Sequence, residues 1–199
     1  MAWNELAGGP KPASHFKTKG NMERKKESIA EQIVFNMRKR PFIQWLEKIP
    51  DNDDSLGCYN NRDDFIQMTY PHTFDKPAQF WRVLFHELAH STQHPGRLNR
   101  KPTRFTPWHY AIEEVVAELA SITLIREVGL ADAEVEEESM DYINGYLNEF
   151  PEFMQPEVVG LAAKLAHLAA EYILGRKPLS KVTIDRKENV SESNHGGRE

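Results

Sequence analysis

The sequence is poor in cysteine and in long apolar runs, and both absences narrow the range of proteins it can encode. Cys58 is the only cysteine in a chain of 199 residues. No disulfide can therefore form within the chain, which suits a reducing cytosol. No run of 18 apolar residues occurs, and the N-terminus lacks the apolar segment of a secretory signal. We therefore predict a cytoplasmic protein without a membrane partner.

Composition predicts one domain with less ordered ends. With 40% hydrophobic residues, the chain can bury one substantial core, which we assign to residues 21–177. Residues 1–20 are rich in glycine, proline, lysine and polar groups, and we predict that they are disordered. The polar run at residues 178–199 is predicted to be a mobile tail.

Positive charge is concentrated near the N-terminus. The first 40 residues contain nine Lys or Arg and four acids, whereas the whole chain has a net charge of −5. This asymmetry permits a weak nucleic-acid contact through the basic N-terminal region. The alternative is that these charges only form a solvated face of a helix. Charge clusters that flank a helix more often have that role, so we favour this alternative.

The most informative motif of the chain is His86-Glu87-Leu88-Ala89-His90, an H-E-x-x-H sequence. On an α-helix, residues four apart lie on one face, so both imidazoles can converge on one metal ion. Glu87 can then lie beside a metal-bound water instead of ligating the ion. The alternative is a pair of surface histidines beside a core helix, which leaves the glutamate between them unexplained.

The residues around this motif predict a helix that packs on a core. Asp75 is the predicted N-cap, and Pro77 fits the first turn, where its missing N–H removes no hydrogen bond. The apolar residues that recur at helical spacing are Phe80, Trp81, Leu84, Phe85 and Leu88.

A third ligand is needed, because a catalytic zinc site usually has three protein ligands and one position open to water. Thr106 and Pro107 indicate the cap and first residue of a second helix, which is apolar almost all round and therefore predicted to be buried. Glu114 and Glu118 lie one turn apart in this apolar background. Because a buried carboxylate needs a partner or a metal, one of them is predicted to be a ligand and the other to support the site. The residues alone do not decide which is which.

The remaining patterns predict a mainly helical α+β fold. Two β-prone segments, residues 56–59 and 65–70, flank a turn-prone stretch and predict a small antiparallel sheet before the H-E-x-x-H helix. Helical periodicity predicts further helices over residues 22–40, around 142–147 and over 158–174.

Several sequence segments, taken in their order along the chain, give a more specific resemblance to a known family. The runs HELAHSTQHPGRLNR, YAIEEVVAELAS, MDYINGYLN and AAKLAHLAAEYILG are similar to the zincin-like metallopeptidase domain of ArdC-type antirestriction proteins. Such proteins are carried by plasmids, phages and other mobile elements. The similarity spans residues 58–177. Two departures stand out: Gln93 replaces a usual glycine, and residues 1–57 do not resemble the single-stranded-DNA-binding domain of the long ArdC-type proteins.

The resemblance implies a role for each candidate site residue. His86, His90 and Glu114 would be the metal ligands, and Glu87 would be the general base. Glu118 would accept a hydrogen bond from one histidine and orient its ring.

From this we predict a zinc-dependent metallopeptidase that a mobile element encodes and that acts on a host or defence protein. Zn²⁺ lowers the pKa of a bound water to about 7 and polarises the scissile carbonyl. Glu87 takes a proton as the water attacks and delivers it to the leaving amine. The alternative is an antirestriction or single-stranded-DNA-associated module whose metal site is structural or vestigial.

Five further residues are weighed as site residues. His94 follows the predicted end of the helix, so it is not predicted to be a ligand. Arg97 and Arg100 are predicted to pair with glutamates of the second helix or to bind a substrate anion. Tyr110 is a candidate for oxyanion stabilisation or for core packing. No base is identifiable near Cys58, so a cysteine nucleophile is not predicted.

Overall fold

Five α-helices and one three-stranded sheet make up the regular structure of the computed structural model, which describes residues 20–49, 55–100 and 107–176. The mainly helical α+β class is therefore confirmed. Single 3₁₀ turns lie at Pro71–Thr73 and Glu152–Met154. In chain order the elements are α1 (Asn21–Asn36), β1 (Phe42–Leu46), β2 (Gly57–Asn60), β3 (Phe65–Thr69), α2 (Pro77–Ser91), α3 (Pro107–Val128), α4 (Ala133–Leu147) and α5 (Gln155–Ile173).

The sheet is mixed, with β3 in the centre. β2 and β3 form the predicted antiparallel hairpin, in which Gly57 pairs with Met68 and Asn60 pairs with Phe65. β1 was not predicted, and it adds to the other side of β3 in parallel. Its side chains alternate between exposed and buried, as expected for a strand with one face on a core. β2 is left as an edge strand beside α2.

The first helix ends earlier than the sequence predicts. α1 stops at Asn36, and Lys39 has a φ of 52°, so residues 37–40 form a turn instead of a last helical turn. The helix could not in any case continue to residue 40, because Pro41 disfavours the helical conformation at the residue before it. Val34 on this helix and Met37 just after it are buried in the core.

The start of α2 also differs by one residue from the prediction. Lys76, in an extended conformation, occupies the N-cap position, and Pro77 is the first helical residue. Asp75 is therefore not the cap, because the residue directly before an N1 proline takes that position.

The central helix of the fold is α3, which packs against α2, α4 and α5. Most of its residues are buried, as predicted from its apolar composition. It begins at Pro107 as predicted, whereas the predicted cap, Thr106, lies outside the described residues. The buried apolar residues of α3 are Ala111, Val115, Val116, Ala117, Ala120, Ile122, Leu124, Ile125 and Val128.

Several predictions concern parts of the chain that the structure does not describe. The disordered segment predicted at residues 1–20, except Gly20, and the mobile tail predicted at 178–199 lie outside the described residues, as does most of the basic N-terminal region before α1. The single domain over residues 21–177 stays a prediction. Among the described helices, none combines the length and apolar character that crossing a membrane requires.

Candidate metal centre

The two histidines of the H-E-x-x-H motif face each other on one side of α2. Helical spacing of four residues brings their ring centroids within 4.7 Å. Their Nε2 atoms lie only 3.0 Å apart. Both rings are largely shielded from solvent.

α3 brings a carboxylate to the same point. Glu114 is 3.4 Å from Nε2 of His86 through Oε2, and 3.5 Å from Nε2 of His90 through Oε1. One ligand atom from each of these three residues lies within 4.8 Å of the other two. The hydroxyl of Tyr142 on α4 donates a 2.7 Å hydrogen bond to Oε2 of Glu114 and so fixes the carboxylate.

Each histidine also contacts a second carboxylate through its Nδ1 atom. Nδ1 of His86 is 2.8 Å from Glu118, and Nδ1 of His90 is 3.2 Å from Glu113. An ionised carboxylate only accepts hydrogen bonds, so each Nδ1 is the donor. In the neutral rings, the Nε2 lone pairs then face each other and the oxygens of Glu114. Such a convergence of acceptors is the arrangement that a cation stabilises.

Glu118 is the more firmly anchored of the two supporting carboxylates. Its Oε1 accepts a 2.8 Å hydrogen bond from Arg82 and a 2.5 Å hydrogen bond from Ser139. Burial raises its pKa, but the contacts with His86, Arg82 and Ser139 outweigh burial and lower the pKa to about 2. Glu118 therefore remains ionised, in the position that the resemblance implied for it.

Glu113 has a supporting position that was not predicted. Both terminal nitrogens of Arg100 donate to its two oxygens, one of them at 2.8 Å. Burial raises the pKa of Glu113, but Arg100 and His90 outweigh it and lower the pKa. The pairing of Arg100 with a glutamate of α3 is as predicted.

The centre has a strong affinity for positive charge. Burial lowers the pKa of His86, but Glu114 and Glu118 outweigh it and raise the pKa to about 9. The pKa of His90 is raised by Glu113 and Glu114 in the same way, against the effect of burial. The carboxylate of Glu114 has a pKa well below its usual range, because the two histidines outweigh its burial.

Glu87 points to the other side of the cleft from these carboxylates. The backbone N–H of Tyr59, on β2, donates a 2.7 Å hydrogen bond to Oε2 of Glu87. The approach of β2 to α2 requires Gly57, because a Cβ there would lie 2.8 Å from Val83 and 3.1 Å from Cγ of Glu87. Glu87 is not among the three residues that converge on the candidate metal position.

A cleft of about 590 Å³ opens over this centre. β2 forms one wall, α2 forms the floor, and α3 and α4 form the other wall. Tyr110, Tyr142 and Tyr146 line this second wall. Tyr110 is half exposed, so of its two predicted roles core packing is wrong.

Two of the residues weighed from the sequence lie near the cleft but outside the metal centre. Nε2 of His94 is 3.7 Å from Asp64 and does not join the candidate ligands. Arg97 also pairs with Asp64 and not with a glutamate of α3. Cys58 lines the cleft, where burial and Glu87 raise the pKa of its thiol. A raised thiol pKa disfavours the thiolate that nucleophilic chemistry needs.

Other residues of this site were not predicted from the sequence. Arg82, Ser139 and Tyr142 reach the centre from separate positions in the chain, and no short motif contains them. Glu113 carried a weak signal, since it is a further acid in the apolar sequence of α3.

The sequence is similar to one known protein family and to two solved structures. A family model described as zincin-like metallopeptidase matches residues 42–155. The chain is also similar to the antirestriction protein ArdC from the R388 plasmid. The Mn(II)-bound crystal structure of ArdC shares 22% sequence identity, over 73% of this chain and 52% of that one, with a TM-score of 0.48. The metal-free structure shares 24% identity, over 68% of this chain and 47% of that one, with a TM-score of 0.45.

The chain thus corresponds to about half the length of those ArdC chains. No functionally curated protein matches it. The family model covers more than half of the sequence and includes the H-E-x-x-H helix, the hairpin before it and the helix that carries Glu114. The chain belongs to the zincin-like metallopeptidase family, whose members are expected to hold a metal ion.

Proposed function

We propose that the protein is a zinc-dependent metallopeptidase in which His86, His90 and Glu114 hold Zn²⁺ and Glu87 is the general base. The observation that carries the proposal is the convergence of two imidazole nitrogens and a carboxylate in an open cleft. Glu87 lies on the same helix and is held separately by β2.

The donor set fits zinc. Two imidazoles and one carboxylate are typical ligands of a catalytic zinc site. At metal–ligand distances of 2.0 to 2.1 Å, tetrahedral ligand atoms lie about 3.3 Å apart. The corresponding distances here are 3.0 Å between the two Nε2 atoms, and 3.4 and 3.5 Å from these to the oxygens of Glu114. Little movement is therefore needed for the three side chains to bind one ion.

The side chains around the centre have separate tasks in peptide hydrolysis. When bound, Zn²⁺ supplies Lewis acidity toward water and toward the scissile carbonyl. Glu87 accepts the proton of the attacking water and transfers it to the leaving amine. The N–H of Tyr59 orients Oε2 of Glu87, and among the described residues no group hydrogen-bonds to Oε1, which leaves that atom for the proton. Glu113 and Glu118 keep the two imidazoles oriented.

We also propose that the substrate is a peptide segment of a host or defence protein, that a mobile element encodes the enzyme, and that it acts in the cytoplasm. The sequence motifs shared with ArdC-type proteins support the biological setting. The single cysteine suits a reducing compartment.

A Glu87→Gln variant tests the proposed chemistry. Purified wild type and variant, each given one equivalent of Zn²⁺, are incubated with a proteome-derived peptide library, and new N-termini are counted by mass spectrometry. We expect the variant to keep its zinc and to lose cleavage by a factor of about 10² or more, because general acid–base catalysis contributes that much. The matched control is Glu137→Gln, an exposed acid on α4. Equal cleavage by Glu87→Gln and wild type would contradict the role of Glu87.

A further inference from the structure

One polar side chain in the cleft has no part in the metal centre. Gln93 follows the last residue of α2 by two positions, and only 6% of it is exposed. It nevertheless lines the cleft that also contains His90 and Glu87. A helix advances about 1.5 Å per residue, so Gln93 lies roughly one turn beyond His90 along the floor of the cleft.

The carboxamide of Gln93 has no hydrogen-bond partner among the described residues. Its backbone N–H binds the carbonyl of His90 at 3.1 Å, but within residues 20–49, 55–100 and 107–176 its side chain makes no hydrogen bond. Gln93 lines the cleft, so its carboxamide is available to a ligand, to which it offers one acceptor oxygen and two donor hydrogens.

We infer that Gln93 is a specificity-determining residue, which binds a polar, uncharged side chain of the peptide next to the scissile bond. This inference rests on the proposed peptidase function. Gln93 lies beyond the ligand pair along α2, so it contacts a substrate residue on one side of the scissile bond. It is not among the three residues that converge on the candidate metal position, and it acts as a binding residue and not a catalytic one.

Arg97 and Arg100, which follow Gln93 closely in the chain, are already paired, which favours an uncharged substrate group. Glu113 is bound by Arg100 and His90, and Arg97 is bound by Asp64. A charged substrate side chain would lose its hydration at this end of the cleft without gaining a free counter-charge, which is unfavourable. A side chain such as that of Asn, Gln, Ser or Thr can instead exchange hydrogen bonds with the carboxamide.

The test compares cleavage preferences of wild type, Gln93→Met and Gln93→Glu, each with one equivalent of Zn²⁺, on a proteome-derived peptide library. Methionine keeps the length of the side chain and removes its hydrogen bonds. We expect wild type to prefer polar, uncharged residues at one position beside the cleavage site, and Gln93→Met to lose that preference by about tenfold in kcat/KM. Gln93→Glu keeps the shape and adds a negative charge, so we expect it to favour Lys or Arg at the same position. A structural disturbance would not produce this gain.

Gln32→Met, an exposed position on α1, is the matched control and should cleave like wild type. Zinc content and melting temperature are measured for all variants. If wild type cleaves peptides and both Gln93 variants keep its preference at every position, the inference about Gln93 is wrong while the peptidase proposal stands. If wild type cleaves no peptide, the peptidase proposal fails and the inference fails with it.

Discussion

At the scale of single residues, the candidate metal centre depends on two carboxylates that are not among the three converging side chains. Glu118 and Glu113 each accept a hydrogen bond from one ligand histidine, and each is held by an arginine. Such supporting groups fix the ring orientation and make the imidazole a better ligand. The candidate centre therefore consists of the three converging side chains and of the groups that support them. We expect both sets to determine how tightly a metal binds.

We expect Glu113→Gln to weaken zinc binding roughly 10- to 100-fold, since the loss of a group that supports a ligand histidine has about that effect. The measurement is a competition titration against a chromophoric chelator. Glu149→Gln, an exposed acid at the end of α4, is the control and should bind like wild type. Unchanged affinity in Glu113→Gln would mean that His90 needs no support from α3.

At the scale of elements, the site depends on how closely β2 approaches α2. The missing side chain of Gly57 allows that approach, and the resulting contact lets the N–H of Tyr59 reach Glu87 at 2.7 Å. The same edge strand forms a wall of the cleft. A displacement of β2 would therefore alter both the orientation of Glu87 and the shape of the cleft.

We expect Gly57→Ala to lower the free energy of unfolding by about 1 to 3 kcal/mol, as inserted methyl groups do in packed sites, and to reduce cleavage. The clash of the new Cβ with Val83 at 2.8 Å is the cause. In contrast, Gly160→Ala on α5 has no heavy atom within 4 Å of its Cβ. It should stabilise the helix by up to about 1 kcal/mol. Denaturant unfolding measures both, and equal stability of Gly57→Ala and wild type would contradict the account.

The elements show what the sequence can and cannot predict. The helix at His86 and the buried helix at Glu114 follow from periodicity, because apolar spacing reports which face is buried. β1 was missed because its five residues, Phe42–Leu46, are too short for a periodic signal and follow directly on a helical pattern. Arg82 and Ser139 could not be assigned to the site, because their roles arise only when three helices pack together.

At the scale of the whole molecule, one buried carboxyl group lies outside the candidate metal centre. Glu27 on α1 is fully buried, and among the described residues neither of its carboxylate oxygens has a hydrogen-bond partner. Burial, followed by the nearby charges of Glu31 and Glu23, raises its pKa to about 7. The folded protein thus holds a proton on Glu27 at pH values where the unfolded chain has released it.

We expect the free energy of unfolding to fall by about 3 kcal/mol between pH 4.5 and 7 on account of Glu27, since each unit of pKa difference is worth about 1.4 kcal/mol. The sign follows because the folded state binds more protons in this range, so stability decreases as pH rises. Glu27→Gln should remove this part of the decrease and be more stable than wild type at pH 8. The check is urea unfolding at several pH values, with Glu137→Gln as control. Equal pH dependence in wild type and Glu27→Gln would contradict the prediction.

The most direct test of the central claim is the zinc stoichiometry of the purified protein, determined by elemental analysis for wild type, His86→Ala and Glu114→Ala. Glu149→Ala serves as the control. We expect one zinc per chain in wild type and in the control, and substantial loss in both ligand variants. One tightly bound zinc per chain in Glu114→Ala, or none in wild type supplied with zinc, would contradict the assignment of His86, His90 and Glu114 as the metal centre.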